Sequence, residues 1–425
     1  MKEEFLHYIW NYKKFDFSNL KTVCQKEISV IDTGKYLQKS GADFFNAQLI
    51  IDGLRWAGNV EIHLKSSDWY LHNHHKDANY DNVILHVVWD HDVDVYRKNN
   101  TEIPVLQLKD FIKKNVNDSY MDLTKNKSWI FCENQIHTVT ETLFAEWKNI
   151  LFTERLLQKS QFIEELLQKN KNDWEATLFC MLAKNFGLNS NGNSFFEFAQ
   201  SIPFSIIRKE SFEVENLEAL FFGKANLLEG NFEENYPKDL QNRWNYLKAK
   251  YSLQKSFFGQ LEFFKHRPDN FPTIRLAQLA MLYHKNQYFF DAITTSNSLV
   301  DIYKIFDSEI SYYWQTHYVL DKESPKKNKP LSKSFIDLLI INTLVPFRFA
   351  YSRYQKKNID TILQELMFSI KPEQNTIIER FDKIGKKSKN AFDTQALLQL
   401  KKQYCDFKRC IECKIGTSLL SSSET

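Results

Sequence analysis

Residues 41–65 decide how the first part of the chain folds, and they read Gly-Ala-Asp-Phe-Phe-Asn-Ala-Gln-Leu-Ile-Ile-Asp-Gly-Leu-Arg-Trp-Ala-Gly-Asn-Val-Glu-Ile-His-Leu-Lys. The pattern predicts two β-strands joined by a turn that contains glycine. Asp43 stands where the first strand begins, and Glu61 lies inside the second. His63 follows two residues later and therefore shares the strand face of Glu61. The stretch predicts a hairpin that carries two acids and an imidazole.

The sequence on either side of this hairpin predicts a mixed α/β domain over residues 1–125. Apolar, strand-like segments occur at 28–31 and 83–89, and the polar stretch 68–77 between them favours a helix. From residue 135 the apolar residues recur at helical spacing, which predicts a second, mostly helical domain over 135–425. We therefore expect an α+β protein.

Composition narrows the class of protein. A chain of 425 residues can hold two or three domains, and its low content of glycine (11) and proline (9) disfavours an all-β fold. The net charge of +3 is too small for the protein as a whole to attract nucleic acid, so any basic surface that binds it has to be local.

Several features of the sequence predict a cytoplasmic protein with no membrane partner. Residues 1–20 lack the apolar core of a signal peptide. The most apolar window, 335–351, contains Asp337 and Arg348, which favours a buried helix over a membrane span. Six cysteines in a chain of this length do not make a disulfide scaffold, so a reducing compartment is expected.

The acids of the hairpin predict a site for Mg²⁺ or Mn²⁺. Hydrolysis of a phosphodiester requires a positioned water and neutralised phosphate oxygens, and a divalent ion held by one or two carboxylates provides both. Asp43 and Glu61 are the predicted ligands. His63 or Lys65 can orient or deprotonate the water. Glu27, upstream of the first strand, is a further candidate for this pocket.

These residues resemble the motif of the PD-(D/E)xK nuclease superfamily, in which an Asp begins the second core strand and an acid-x-Lys follows on the third. A helix then leads to another strand, as predicted here across residues 28–110. Ala42 stands where the motif has Pro, and His63 stands where it has Lys. The resemblance implies a restriction-endonuclease-like domain with metal-dependent hydrolysis of DNA or RNA. It makes nucleic acid the expected partner.

Histidines are concentrated just after the hairpin, and five of the eleven lie within 24 residues: His63, His72, His74, His75 and His86. Imidazole is a common ligand of transition metals. A Zn²⁺ or Mn²⁺ site formed by His63, His72 or His74 with Asp68 is therefore an alternative centre, typical of a zinc hydrolase. His86 lies on an apolar strand and is predicted to be a core histidine. The other interpretation is that the two acids and the histidine of the hairpin lie on a solvated edge of the sheet and bind no ligand.

Cys405, Cys410 and Cys413 form a second chemical signal near the C-terminal end. A C-x-x-C turn suits Zn²⁺ or an iron–sulfur cluster, since both bind soft thiolates. The fourth ligand has to come from elsewhere, and Cys24, Cys132, Cys180 or a histidine are the candidates. Three thiols without a metal are the alternative.

Arg267 and Arg275 flank a proline-containing segment ahead of a predicted helix. Two guanidinium groups at such a place can bind a phosphate. Internal salt bridges are the alternative interpretation.

A second resemblance covers nearly the whole chain. The residues that carry it are Gly-x-Asp-Phe, Gly-Asn-Val-Glu-Ile-His and Ser-Asp-Trp, the segment 267–275, Ile341-Asn342-Thr343-Leu344-Val345-Pro346-Phe347, and the tail 405–416. They resemble a bacterial family known only as a domain of unknown function, which implies no activity. A non-catalytic helical scaffold that binds nucleic acid or protein through a degenerate nuclease domain therefore remains the alternative function.

Overall fold

The computed structural model describes residues 3–36, 41–112, 128–253, 261–264 and 266–422. It confirms the predicted α+β class, with a mixed sheet in the first part of the chain followed by a mostly helical region. The chain packs as two compact units. Unit 1 comprises Met1–Asn149, Glu379–Lys386 and Leu398–Thr425, and unit 2 comprises Ile150–Ile378 and Lys387–Leu397.

The unit boundaries differ from the domain boundaries that the sequence predicts. The division falls after Asn149, within the helix Glu141–Lys169, and not in the interval 125–135. The segment with the three cysteines, expected to end the helical domain, groups with the sheet. The physical reason is that Ile411 and Leu420 pack into the same apolar core as Phe5 and Leu6.

The sheet of unit 1 is mixed. Its strands are β1 Ile28–Asp32, β2 Lys35–Tyr36, β3 Phe44–Ile51, β4 Leu54–Lys65, β5 Val83–Asp90 and β6 Val105–Gln107. They run in the order β1-β3-β4-β5-β6. β2 pairs with the first residues of β3, at Phe44. β1, β3 and β4 are antiparallel, whereas β4, β5 and β6 are parallel. The parallel step from β4 to β5 contains helix α2, Asp68–Leu71, and the short 3₁₀ turns His74–Lys76 and Ala78–Tyr80.

Two neighbouring residues of β5 enter two different apolar cores, as expected for side chains that alternate across a strand. Val87 packs in the core that also contains Leu49 and helix α1, Glu3–Asn11. Val88 packs in a second core built around Trp69 of α2. Both faces of this strand are buried, which explains its continuous apolar sequence.

The hairpin of residues 41–65 forms as predicted, and its turn is Asp52-Gly53. Both residues have positive φ, 51° and 77°, as a two-residue type I′ turn requires. At the opposite end of β3 the pairing is irregular between Phe44 and Ala47, where Asn46 also has a positive φ of 55°. This bulge sets the position of Asp43 against β4.

Unit 2 is mostly helical in its described residues. Its helices are Trp174–Phe186, Leu188–Gln200, Phe204–Glu210, Val214–Lys224, Asn235–Lys250, Pro272–Lys285, Phe289–Thr295, Leu299–Phe306, Tyr312–Thr316, Lys333–Leu339, Val345–Tyr354, Asp360–Phe368 and Ala391–Gln399. Short strands His317–Val319 and Lys322–Glu323 form a hairpin. Glu141–Lys169 and Thr376–Lys383 each contribute to both units, and the last two residues of Ala391–Gln399 also belong to unit 1. Lys414–Ser422 belongs to unit 1.

The π-helical turn Ile340–Leu344 joins Lys333–Leu339 and Val345–Tyr354 into one continuous helix, Lys333–Tyr354. It is the one helix in the described residues that is long and apolar enough to cross a membrane by length and composition alone. Of its most apolar window, 72% is buried inside the protein. Arg348 within it is itself buried and donates hydrogen bonds to the Ser296 carbonyl and to Asn297. These contacts match a core helix, as the sequence predicts for this segment.

Gly223 allows two helices of unit 2 to approach closely, and its replacement by alanine is expected to destabilise them. A Cβ atom there would lie 2.1 Å from Cδ2 of Trp244, so the indole has to move. We expect a loss of about 1–3 kcal/mol in the free energy of unfolding, measured by urea denaturation. Gly192→Ala is the control, since its nearest neighbour would be 3.1 Å away. Equal stability of the two variants would contradict this account.

Candidate metal centre

Asp43 and Glu61 are brought together by reciprocal contacts with the backbone. The backbone N–H of Asp43 donates to Oε2 of Glu61 at 3.1 Å, and that of Ile62 donates to Oδ2 of Asp43 at 3.0 Å. Standard bond lengths then limit the separation of the two carboxylates to about 7 Å. Glu61 is buried and Asp43 half-buried. The two predicted acids therefore form one site at the bulged end of the hairpin.

Helix α1 adds two residues that the sequence analysis did not identify, Glu3 and His7. With Asp43 they form a group whose ligand atoms all lie within 4.8 Å of one another. Nε2 of His7 is buried and lies 3.2 Å from Oδ2 of Asp43. Burial lowers the pKa of His7, but the contact with Asp43 outweighs it and raises that pKa overall. Burial raises the pKa of Glu3 to about 7, although the charge of His7 opposes this. A nitrogen so placed suits a metal ion.

His63, His72 and His74 form the second group, again with all ligand atoms within 4.8 Å. Nε2 of His63 lies 3.1 Å from Nδ1 of His72. Nε2 of His74 is buried without a hydrogen-bond partner. His63 is deeply buried in β4, whereas His72 is exposed after α2, so the group extends from the core to the surface. Three convergent imidazoles suit Zn²⁺, Mn²⁺ or another first-row metal.

Glu61 connects the two groups. Its Oε1 lies 3.3 Å from Nε2 of His74 and 3.5 Å from Nε2 of His63, while Oε2 faces Asp43. Burial, followed by the charge of Asp43, raises the pKa of Glu61 to about 9. Without a cation the carboxyl is therefore held protonated. A divalent ion would supply the positive charge that its ionised form needs.

His86 fixes the orientation of His63. Nε2 of His86 lies 2.8 Å from Nδ1 of His63, so a proton on that Nδ1 leaves Nε2 of His63 with a lone pair directed at the group. Burial, followed by the neighbouring imidazoles, lowers the pKa of His63 to about 2 and that of His86 to about 3. Both rings are thus neutral near pH 7. His86 is a buried core histidine, as the sequence predicts, and it also orients a ligand.

Three of the predicted pocket residues lie outside these two groups. Lys65 is exposed at the end of β4, and its backbone N–H donates to Asp68 at 3.0 Å. Asp68 thus holds the turn between β4 and α2 and is not a member of the histidine group. Glu27 precedes β1, and its carbonyl accepts from Asp52, so it lies at the opposite end of β3 from Asp43. Lys65 and Glu27 are therefore not brought together with the candidate ligands, whereas Asp68 lies near enough to Glu3 for its charge to raise the pKa of that residue.

The predicted phosphate site in unit 2 is corrected by the structure. Arg275 is buried and donates to Gln278 at 2.8 Å and to Asn270 at 2.6 Å. Its guanidinium also stacks on Phe335 at 3.6 Å from the ring centre. Arg267 is exposed in the turn before the helix. Arg275 is thus committed to internal contacts, with amide oxygens in place of the expected carboxylates.

Cys405, Cys410 and Cys413 lie together in unit 1, and Cys132 joins them. The remaining cysteines considered for a fourth ligand lie elsewhere. Cys24 is exposed beside Glu102, and Cys180 is buried in the core of unit 2.

The sequence was compared with known proteins. No curated protein and no solved structure matches the chain. The model of one family, described as protein of unknown function (DUF2851), matches residues 3–376. This match covers the sheet, both groups of candidate ligands and most of unit 2, and the chain belongs to the DUF2851 family.

Proposed function

We propose that this protein is a metal-dependent phosphodiesterase that cleaves DNA or RNA at the site around Glu61. The observation that carries the proposal is the position of the Glu61 carboxylate between two groups of metal-competent side chains. One group is His63, His72 and His74, and the other is Glu3, His7 and Asp43.

The order of elements supports the nuclease-like part of the proposal. Asp43 immediately precedes β3, Glu61 lies in β4, α2 follows, and β5 pairs parallel to β4. This is the arrangement of strands, acids and helix on which the resemblance to PD-(D/E)xK nucleases rests. The alternating acid and imidazole on β4 take the places of that motif's acid and lysine.

The ligand types favour Mn²⁺ or Zn²⁺ over Mg²⁺. Magnesium binds through oxygen and retains several waters, whereas imidazole nitrogens favour transition metals. Such an ion lowers the pKa of a bound water and polarises a phosphate oxygen. Because His63 is neutral and held by His86 and His72, we assign it to metal binding and not to proton transfer.

A cleavage assay tests this function. Metal-stripped protein, given Mn²⁺, Zn²⁺ or Mg²⁺, is incubated with labelled single-stranded and duplex DNA and RNA. We expect cleavage with Mn²⁺ and a loss of about 100-fold or more in Glu61→Gln, since even residues that only orient a ligand contribute 10–100-fold. Glutamine can still accept from the Asp43 N–H, so the fold should persist.

Glu27→Gln is the matched control, because Glu27 lies at the far end of β3 and should leave cleavage unchanged. No cleavage by the wild-type protein with any of the three ions would refute the proposal. Equal cleavage by wild type and Glu61→Gln would also refute it.

A further inference from the structure

Four cysteines from two distant parts of unit 1 surround one cavity. Cys132 comes from the segment that precedes the helix Glu141–Lys169, and Cys405 ends the π-helical turn Leu400–Cys405. Cys410 and Cys413 lie in the following loop. All four line one small cavity whose other walls include Leu400 and Ile415. Cys413 is buried, and the other three cysteines are partly buried.

The loop around this cavity is tightly packed. Gly416 stands in the first turn of the helix Lys414–Ser422, where a Cβ atom would lie 2.0 Å from the carbonyl oxygen of Cys410. Only glycine permits this approach without a shift of the backbone. Glycine therefore brings the helix start against the loop that carries two of the cysteines.

The thiols are close enough to interact electrostatically. Burial, followed by the charge of Cys413, raises the pKa of Cys410 to about 12. Burial likewise raises the pKa of Cys132, with added contributions from Cys413 and Cys410, and that of Cys405. These mutual contributions indicate that the four sulfur atoms lie near one another.

The spacing of the sulfur atoms distinguishes between two kinds of centre. A single tetrahedral Zn²⁺, with Zn–S bonds of about 2.3 Å, holds its four sulfurs about 3.8 Å apart. Among the described residues, triads with all ligand atoms within 4.8 Å occur at the two groups around Glu61, and no three of these cysteines form one. An iron–sulfur cluster distributes its four thiolates over two or four iron atoms, so that no three of them share one iron.

We propose that Cys132, Cys405, Cys410 and Cys413 bind an iron–sulfur cluster within unit 1. The cluster would join the segment after residue 398 to the segment that follows the sheet. This inference is independent of the phosphodiesterase proposal, since it concerns other residues and another metal.

Anaerobic purification of the full-length protein provides the test. We expect a brown protein with equal amounts of iron and acid-labile sulfide, about two or four of each per chain. Native mass spectrometry of the wild type should show the added mass of the intact cluster. Cys132→Ser should lose most of the iron and sulfide, while Cys24→Ser, which changes an exposed cysteine outside the cavity, should keep both.

Three results would overturn the proposal. The first is one zinc per chain, without iron or sulfide, that is lost in Cys132→Ser but kept in His72→Ala. The second is wild-type protein without metal at the cysteines. The third is full iron and sulfide content in Cys132→Ser. If Cys132→Ser does not fold, the mass and metal content of the wild type still decide between a cluster, a zinc ion and an empty site.

Discussion

Replacement of His72 or His63 with alanine is expected to weaken Mn²⁺ binding by about 100-fold or more. Each change removes one of the three imidazoles that converge beside Glu61, and the remaining pair cannot complete the group. Calorimetric titration of metal-stripped protein measures the affinity directly. A cleavage assay on the same variants should show a parallel loss.

The two variants differ in their risk to the fold. His63 is buried, so its loss leaves a cavity, whereas His72 is exposed and its truncation should leave the structure intact. His75→Ala is the matched control, because His75 lies in the same 3₁₀ turn as His74 but packs against Tyr70 and belongs to neither group. Unchanged Mn²⁺ affinity in His72→Ala would exclude this histidine as a ligand. A loss of Mn²⁺ affinity no larger than that of His75→Ala would also exclude His72 as a ligand.

Glu218 of unit 2 is expected to make the stability of the protein depend on pH. It is fully buried, and its carboxylate accepts from Tyr236, from Trp314 at 3.2 Å and from Ser311 at 2.8 Å. Burial raises its pKa to about 7, although these donors oppose the rise. Because the folded state holds the proton more tightly, stability is greatest below the unfolded pKa of 4.5 and falls as the pH rises towards 7.

The corresponding loss is about 3 kcal/mol between pH 4.5 and pH 8. Glu218→Gln should abolish this component, because an amide has no proton to lose and can still bond to all three partners. Urea denaturation at several pH values should therefore show wild type and variant converging near pH 4.5 and separating at pH 8, with the variant more stable. Glu215→Gln, on the same helix, should keep most of the pH dependence, because the charge of Glu215 makes only a small contribution to the raised pKa of Glu218. Parallel curves for wild type and Glu218→Gln would contradict the assignment.

The hairpin could be predicted because its signals are local. The Asp52-Gly53 turn, the alternation in β4 and the apolar β5 each fix their structure within a few residues. The pairing of Asp43 with Glu61 followed from the hairpin itself. The helical character of the second part followed from its periodicity. These features needed no knowledge of distant contacts.

The remainder of the candidate metal centre depends on contacts between distant segments. Glu3 and His7 lie one turn apart on α1, a spacing that places both on one face, but no local signal directs that face to Asp43. Cys132 is a single cysteine in a segment without a motif, and only the fold brings it to the C-x-x-C loop. Arg275 was misassigned for the related reason that sequence does not reveal burial. Tertiary packing decided these positions.

The two-part construction of unit 1 has a consequence for the order of folding. Its sheet precedes unit 2 in the chain, whereas Ile411 and Leu420, which help fill its core, follow unit 2. During synthesis the helical unit can therefore fold first, while the sheet core stays incomplete and its apolar residues exposed. A chain truncated at residue 398 would therefore lack part of the core of its N-terminal sheet, although the residues removed are at its C-terminal end.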